Sequence, residues 1–111
     1  MVLQLAYIVY TLCRSRGGDG CAVPLDELLA TLESLRNIAR YAVYPDPRYV
    51  ETDLRILLHM LSRHRCRAGL SNGVVELDRR CLSILGTTIA MSDSLIPDEL
   101  KERLGLVIRG G

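Results

Sequence analysis

TDLRILLHMLSRHRCRAGLSNGVVELD, residues 52–78, contains the clearest structural signals in the chain. Its first half places apolar residues at helical spacing, and its second half alternates apolar and polar residues around Asn72-Gly73. Asn-Gly is the strongest short signal for a two-residue hairpin loop, because both residues accept the positive φ of a type I′ turn. The stretch therefore predicts a helix that leads through a basic turn into a β-hairpin.

The predicted helix extends over residues 50–65 and has two distinct faces. One face is an apolar stripe that is expected to be buried, formed by Val50, Leu54, Leu57, Leu58 and Leu61. Arg55, His59 and Arg63 lie on the opposite arc at i, i+4 and i+8, so they line up along one face of the helix. We expect these three side chains to face outward.

The rest of the chain is predicted to be mostly helical. The segment 2–14 is predicted to be a helix with apolar side chains around almost its whole circumference. It is therefore either a central core helix or a dimer seam. A second helix is predicted to begin near Pro24 and to continue to a proline-rich turn, YPDPRY, at residues 44–49. Further helices are predicted at 79–91 and at 97–105, where Gly105 is the expected stop. The last six residues, LVIRGG, are expected to form a short strand or a loose tail.

These elements predict a fold that is mainly α with one β-hairpin. The 111 residues, 49% of them apolar, suit a single domain over 1–111 with its own core. We expect that core in residues 2–78 and a C-terminal helical extension in residues 79–111. The apolar run from Val2 to Cys13 is too short to span a bilayer and lacks the features of a signal peptide. A cytoplasmic protein without a membrane partner is therefore expected.

The order of three helices, a basic turn and an Asn-Gly hairpin resembles a winged helix-turn-helix domain over residues 2–78. In that family the third helix enters the DNA major groove, and the hairpin wing lies along the backbone or the minor groove. The resemblance implies a recognition helix at 50–65 and a wing at 67–78 with Asn72 at its tip. It also implies a DNA-binding protein, such as a small transcription regulator or a chromatin-associated factor.

Charge placement supports the same expectation independently. The segment Leu54–Val75 contains four arginines and no acidic residue, so it carries +4 while the whole chain carries +1 and the remainder −3. A positive surface on a nearly neutral protein is typical of phosphate contact. The candidate residues for contact with double-stranded DNA are Arg55, His59, Arg63, Arg65, Arg67 and Asn72.

A protein-contact function is the alternative. Winged domains also serve as interaction or oligomerisation modules without nucleic-acid binding, and an exposed helix face has to carry some polar residues in any case. We also expect a homodimer, because the apolar circumference of the first helix needs covering on more than one side.

Catalysis, cofactors and metals are not expected. The sequence lacks nucleophile, phosphate-loop and dinucleotide motifs. The four cysteines, at positions 13, 21, 66 and 81, form no C-x-x-C pair, so the strong zinc signature is missing. We expect four buried or half-buried thiols. The alternatives are two local bridges, Cys13–Cys21 and Cys66–Cys81, or a zinc site drawn from the cysteines with His59 and His64.

Overall fold

A computed structural model of the chain describes residues 2–38 and 49–110. Its elements in chain order are α1 (Val2–Arg16), β1 (Cys21–Pro24), α2 (Leu25–Ile38), α3 (Val50–Ser62), β2 (Ala68–Ser71), β3 (Val74–Leu77), α4 (Arg79–Met91), a 3-10 turn (Asp93–Leu95) and α5 (Asp98–Gly110). The predicted fold class, mainly α with one β-hairpin, is confirmed. Among the described helices, none is long and apolar enough to cross a membrane.

The three strands form one antiparallel sheet in the order β1-β3-β2. Leu77 of β3 pairs with Cys21 on one side and with Ala68 on the other. The sequence did not predict β1, because a four-residue strand that ends in proline has too little alternation to recognise. Pro24 is tolerated because it is the last residue of an edge strand, and α2 begins one residue later than predicted.

The hairpin has the predicted turn. Asn72 has a φ of 53° and Gly73 a φ of 73°, as a type I′ turn requires. The Leu25 N–H donates a 2.7 Å hydrogen bond to the Gly73 carbonyl oxygen, which ties the hairpin tip to the start of α2. The hairpin therefore pairs with β1 along its whole length instead of projecting from the domain.

Gly73→Ala is expected to lower the free energy of unfolding by about 1 kcal/mol, measured by urea denaturation. A Cβ at Gly73 would meet no atom within 4 Å, so the loss comes from the backbone conformation alone. Gly69→Ala is the matched control, because Gly69 also has open space but no positive φ. Equal urea midpoints for the two variants would contradict the prediction.

The first helix lies at the centre of the fold, where α1 contacts α3, α4, α5 and β1. Its buried side chains are Leu5, Ala6, Ile8, Val9, Leu12 and Cys13. Of the two roles that the sequence left open for this helix, the structure shows the central core helix. Gly86 of α4 makes room for Tyr10 of α1, since a Cβ at Gly86 would lie 2.7 Å from the Tyr10 hydroxyl.

Several predicted boundaries differ from the structure. The helix predicted at 79–91 is confirmed as α4, but α5 continues through Gly105 to Gly110 instead of ending there. Leu100 and Leu104 are fully buried, and Val107 and Ile108 continue their stripe, so burial outweighs the roughly 1 kcal/mol cost of glycine. The helix α1 extends two residues beyond its prediction, and α3 ends at Ser62 instead of residue 65. The predicted continuation of the second helix over 39–44 and most of the proline-rich turn lie outside the described residues.

The expectation of four thiols is wrong, because all four cysteines are bridged. Cys13 pairs with Cys21 at a Cα–Cα distance of 5.4 Å, and Cys66 pairs with Cys81 at 5.3 Å. In each pair the chain folds back between the two residues, once between α1 and β1 and once through the hairpin. The bridges are the two local pairings that the sequence had offered as the alternative.

Candidate nucleic-acid interface

The helix α3 has the two faces that its sequence predicted. The predicted apolar stripe is buried, while Arg55, His59 and Arg63 are exposed. The Arg55 guanidinium donates a 3.0 Å hydrogen bond to Glu51 one turn earlier. An exposed i, i+4 pair of this kind contributes only a few tenths of a kcal/mol, so Arg55 can leave it for a stronger partner.

The connection from α3 to β2 presents three arginines in five residues. Arg63 is the C-cap of α3, and its N–H donates to the His59 carbonyl oxygen. Arg65 has a φ of 61°, a left-handed conformation that costs a residue with a Cβ about 1–2 kcal/mol. This reversal turns Cys66 into the core, while Arg65 and Arg67 remain exposed on either side of it.

At the base of the hairpin, two hydrogen bonds join Arg67 and Asp78, one between their backbones and one from the Arg67 N–H to the Asp78 carboxylate. The Asp78 N–H donates to the Arg67 carbonyl oxygen at 3.0 Å, and the Arg67 N–H donates to Asp78 Oδ2 at 3.0 Å. Because α4 begins at the next residue, Arg79 and Arg80 lie beside Arg67. Sequence reasoning missed these two residues, although the run Arg79-Arg80 directly follows the second predicted strand. We call Arg63, Arg65, Arg67, Arg79 and Arg80 the basic cluster.

The basic cluster is exposed, and within residues 2–38 and 49–110 none of its arginines forms an ion pair. Residues 63–80 contain these five arginines and two acids, Glu76 and Asp78, so their net charge is 5 − 2 = +3. The first turn of α4 has no acidic residue. Arg79 and Arg80 therefore add to the positive end of the helix dipole, which ordinarily favours negative side chains.

Asp78 is the N-cap of α4, and its carboxylate also binds the residue that precedes β2. Its Oδ1 accepts a 2.8 Å hydrogen bond from the Cys81 N–H, and its Oδ2 accepts the one from Arg67. These backbone donors, that of Cys81 foremost, hold the pKa of the Asp78 carboxyl below its usual value. One carboxylate thus joins the start of α4 to the start of β2.

The lowered pKa predicts that the contribution of Asp78 to stability depends on pH. That contribution is complete above the ordinary aspartate value of 3.8 and is lost as the pH falls through the lower folded-state pKa. Asp78→Asn keeps a capping oxygen but carries no charge. We expect the urea midpoint of the wild type to exceed that of Asp78→Asn at neutral pH, and the difference to shrink below pH 3.8. A difference that is constant with pH would refute this role of the carboxylate.

The structure does not bring all six predicted residues together. Asn72 is exposed at the hairpin tip, about 13 Å from the hairpin base for strands of four residues. Arg55 and His59 lie along α3, with Arg55 about 12 Å before Arg63. Arg63, Arg65 and Arg67 are close neighbours, and the structure adds Arg79 and Arg80 to them.

A cleft extends this basic surface towards α1. It has a volume of about 330 Å³ and is lined by Arg14, Arg79 and the glycine loop at 17–18. The Arg14 guanidinium lies 5.7 Å from the centre of the Tyr10 ring and donates to its hydroxyl at 3.1 Å. Arg14 is thus held at the rim of the cleft that Arg79 of the basic cluster also lines.

Comparison of the chain with protein-family models, with curated proteins and with solved structures finds no match in any of the three. The arrangement of its own residues is accordingly the basis for a functional assignment.

Proposed function

We propose that this protein binds double-stranded DNA as a small transcription regulator or chromatin-associated factor. The exposed face of α3 meets the major groove, and the basic cluster contacts the phosphates at the groove edge. The observation that carries the proposal is the basic cluster itself, five exposed arginines that form no ion pair among the described residues. Concentrated positive charge of this kind is the electrostatic requirement for phosphate binding.

The order of elements supports the proposal. Three helices precede a hairpin, and the third helix has an exposed face beside it, as in the winged domains that residues 2–78 resemble. The hairpin strands have four residues each, and the tip is bonded to the start of α2. We therefore assign phosphate contact to the hairpin base, where the arginines lie, and only a lesser contact to Asn72.

Two local departures from structural preference coincide at this base. Arg65 occupies a left-handed conformation that glycine or asparagine would adopt at lower cost, and Arg79-Arg80 occupy a helix start that favours acids. Unfavourable local choices of this sort cluster at functional sites, where a ligand compensates for them. A DNA phosphate would pair with Arg65, Arg79 and Arg80, whose side chains form no ion pair among the described residues.

The direct test is a band shift of a generic DNA duplex with the oxidised protein at low and high salt. We expect retardation at low salt that weakens steeply as salt rises, because bound phosphates release counterions. Wild-type protein that retards no duplex at low salt would falsify the nucleic-acid proposal.

A protein-contact module is the second candidate, and an apolar groove favours it. Ile56 and Met60 of α3 are 46% and 54% exposed, which is unusual for large apolar side chains. Met60 borders a groove of about 300 Å³ between α1, α3 and α4, lined also by Leu3 and Ile84. The predicted homodimer remains a proposal, and this groove is now a better surface for it than α1. A monomer mass by light scattering at tens of micromolar protein would count against the dimer.

A further inference from the structure

Cys66, Cys81 and Asp78 place three potential metal ligands at one point of the fold. The two sulfur atoms and a carboxylate oxygen of Asp78 all lie within 4.8 Å of one another. Within residues 2–38 and 49–110, no other group of three histidine, cysteine or acidic side chains is this close. The cluster joins the α3–β2 connection to the first turn of α4.

The carboxylate is already oriented towards the cysteines. The Cys81 N–H and the Arg67 N–H each donate to one oxygen of Asp78, and each oxygen keeps a second lone pair. Backbone donors that fix a carboxylate in this way act as the second shell of a metal site.

The cluster also has an approach from solvent. Cys66 and Asp78 line an open cleft of about 770 Å³ beside the sheet. Two thiolates on one tetrahedral zinc ion lie about 3.8 Å apart, given a Zn–S bond of about 2.3 Å. Cysteines close enough to form a bridge would reach that separation by side-chain rotation, and water from the cleft would complete the fourth position.

We propose that the reduced protein binds a thiophilic divalent cation, Zn²⁺, through Cys66, Cys81 and Asp78. A dithiol reductant supplies two electrons and two protons to the Cys66–Cys81 bond and becomes a disulfide itself, which leaves two thiols on the protein. Zinc then displaces both thiol protons and forms two Zn–S bonds and one Zn–O bond. The Cys66–Cys81 bridge and the bound metal are alternative links between the α3–β2 connection and α4. This metal site uses none of the arginine side chains of the basic cluster, and it can be tested without DNA.

The second bridge provides an internal control. Within the described residues no third ligand accompanies Cys13 and Cys21. Cys13→Ala/Cys21→Ala therefore keeps the proposed site, and Cys66→Ala/Cys81→Ala removes it while leaving another cysteine pair in the chain.

The experiment is a titration with Co²⁺ under anaerobic conditions, after reduction and removal of the dithiol. Thiolate-to-cobalt charge-transfer absorption shows that cysteine thiolates bind the metal. Loss of this absorption when Zn²⁺ is added shows that zinc displaces cobalt from the site. For reduced Cys13→Ala/Cys21→Ala we expect one Co²⁺ per chain, and no signal for the same variant when oxidised. Reduced Cys66→Ala/Cys81→Ala is expected to give no signal either.

Adding Asp78→Asn to Cys13→Ala/Cys21→Ala tests the third ligand with both remaining thiols in place. We expect the affinity for Co²⁺ to fall at least about tenfold, because loss of even an outer-shell partner of a metal site typically has an effect of that size. An unchanged affinity would show that two thiols bind the metal alone, as they would in an unfolded chain, and would overturn the site. Absence of charge-transfer absorption in reduced Cys13→Ala/Cys21→Ala would overturn it as well.

Discussion

Cys66→Ala/Cys81→Ala is expected to lower the free energy of unfolding by about 3 kcal/mol. The bridge closes a loop with a sequence separation of 15, and the chain-entropy model assigns about 3 kcal/mol to a loop of that length. Both cysteines are buried, so loss of side-chain packing adds to the effect. The measurement is urea denaturation of the variant beside the oxidised wild type.

The Cys13–Cys21 bridge provides a comparison for the stabilisation expected from Cys66–Cys81. Cys13–Cys21 has a sequence separation of 8, so the same model assigns about 2.5 kcal/mol to it. We expect Cys13→Ala/Cys21→Ala to be destabilised somewhat less than Cys66→Ala/Cys81→Ala. A urea midpoint of Cys66→Ala/Cys81→Ala equal to that of the wild type would refute the stabilising role of the bridge.

A thiol count shows whether the bridges are present in the purified protein. Wild-type protein denatured without reductant is expected to react with no maleimide, because no cysteine is free. After reduction it should react with four, one for each cysteine in the chain. Reaction of two or four before reduction would contradict one or both bridges.

Arg65→Gly/Arg67→Ala is expected to weaken binding to all DNA duplexes by roughly tenfold to a hundredfold at 0.1 M salt. Each neutralised phosphate contributes a slope of about −0.9 to the dependence of log affinity on log salt. Loss of two contacts should therefore flatten the slope by about 1.8 units. The loss should be similar for every sequence, because phosphate contacts position the protein without reading bases.

The choice of glycine at position 65 separates binding from folding. Arg65 has a φ of 61°, which glycine adopts without the steric cost that alanine would retain. Arg67 holds Asp78 through its backbone, which Arg67→Ala preserves. The variant should therefore be at least as stable as the wild type, so weaker binding cannot be attributed to unfolding.

Arg109→Ala is the matched control for one lost charge. Arg109 is exposed on α5, outside the basic cluster, and its Nε donates to the Gly105 carbonyl oxygen of its own helix. Arg67→Ala should reduce the salt slope by about 0.9 units, while Arg109→Ala should leave it unchanged. Equal slopes for these two variants would move the interface away from the hairpin base.

The elements that could be predicted from the sequence alone are those specified by residues close together in the chain. The apolar stripe of α3 has the helical period, and Asn72-Gly73 specifies a type I′ turn, because both depend on side chains only a few residues apart. The prediction of a helix at α4 is also confirmed, despite Gly86 within it. The same local pattern placed Arg63 on the outer face of the predicted helix and Arg65 and Arg67 at the basic turn where the helix ends.

Features that depend on contacts between separate elements became visible only in the tertiary structure. The strand β1 exists because β3 provides its hydrogen-bond partners, and α5 continues past Gly105 because its apolar face is buried. The cysteines pair because the fold closes two loops on them. Arg79 and Arg80 join the basic cluster because the Arg67–Asp78 backbone bonds bring the start of α4 to the hairpin base. Contacts of this kind depend on how separate elements pack, which the residue pattern of one element does not show.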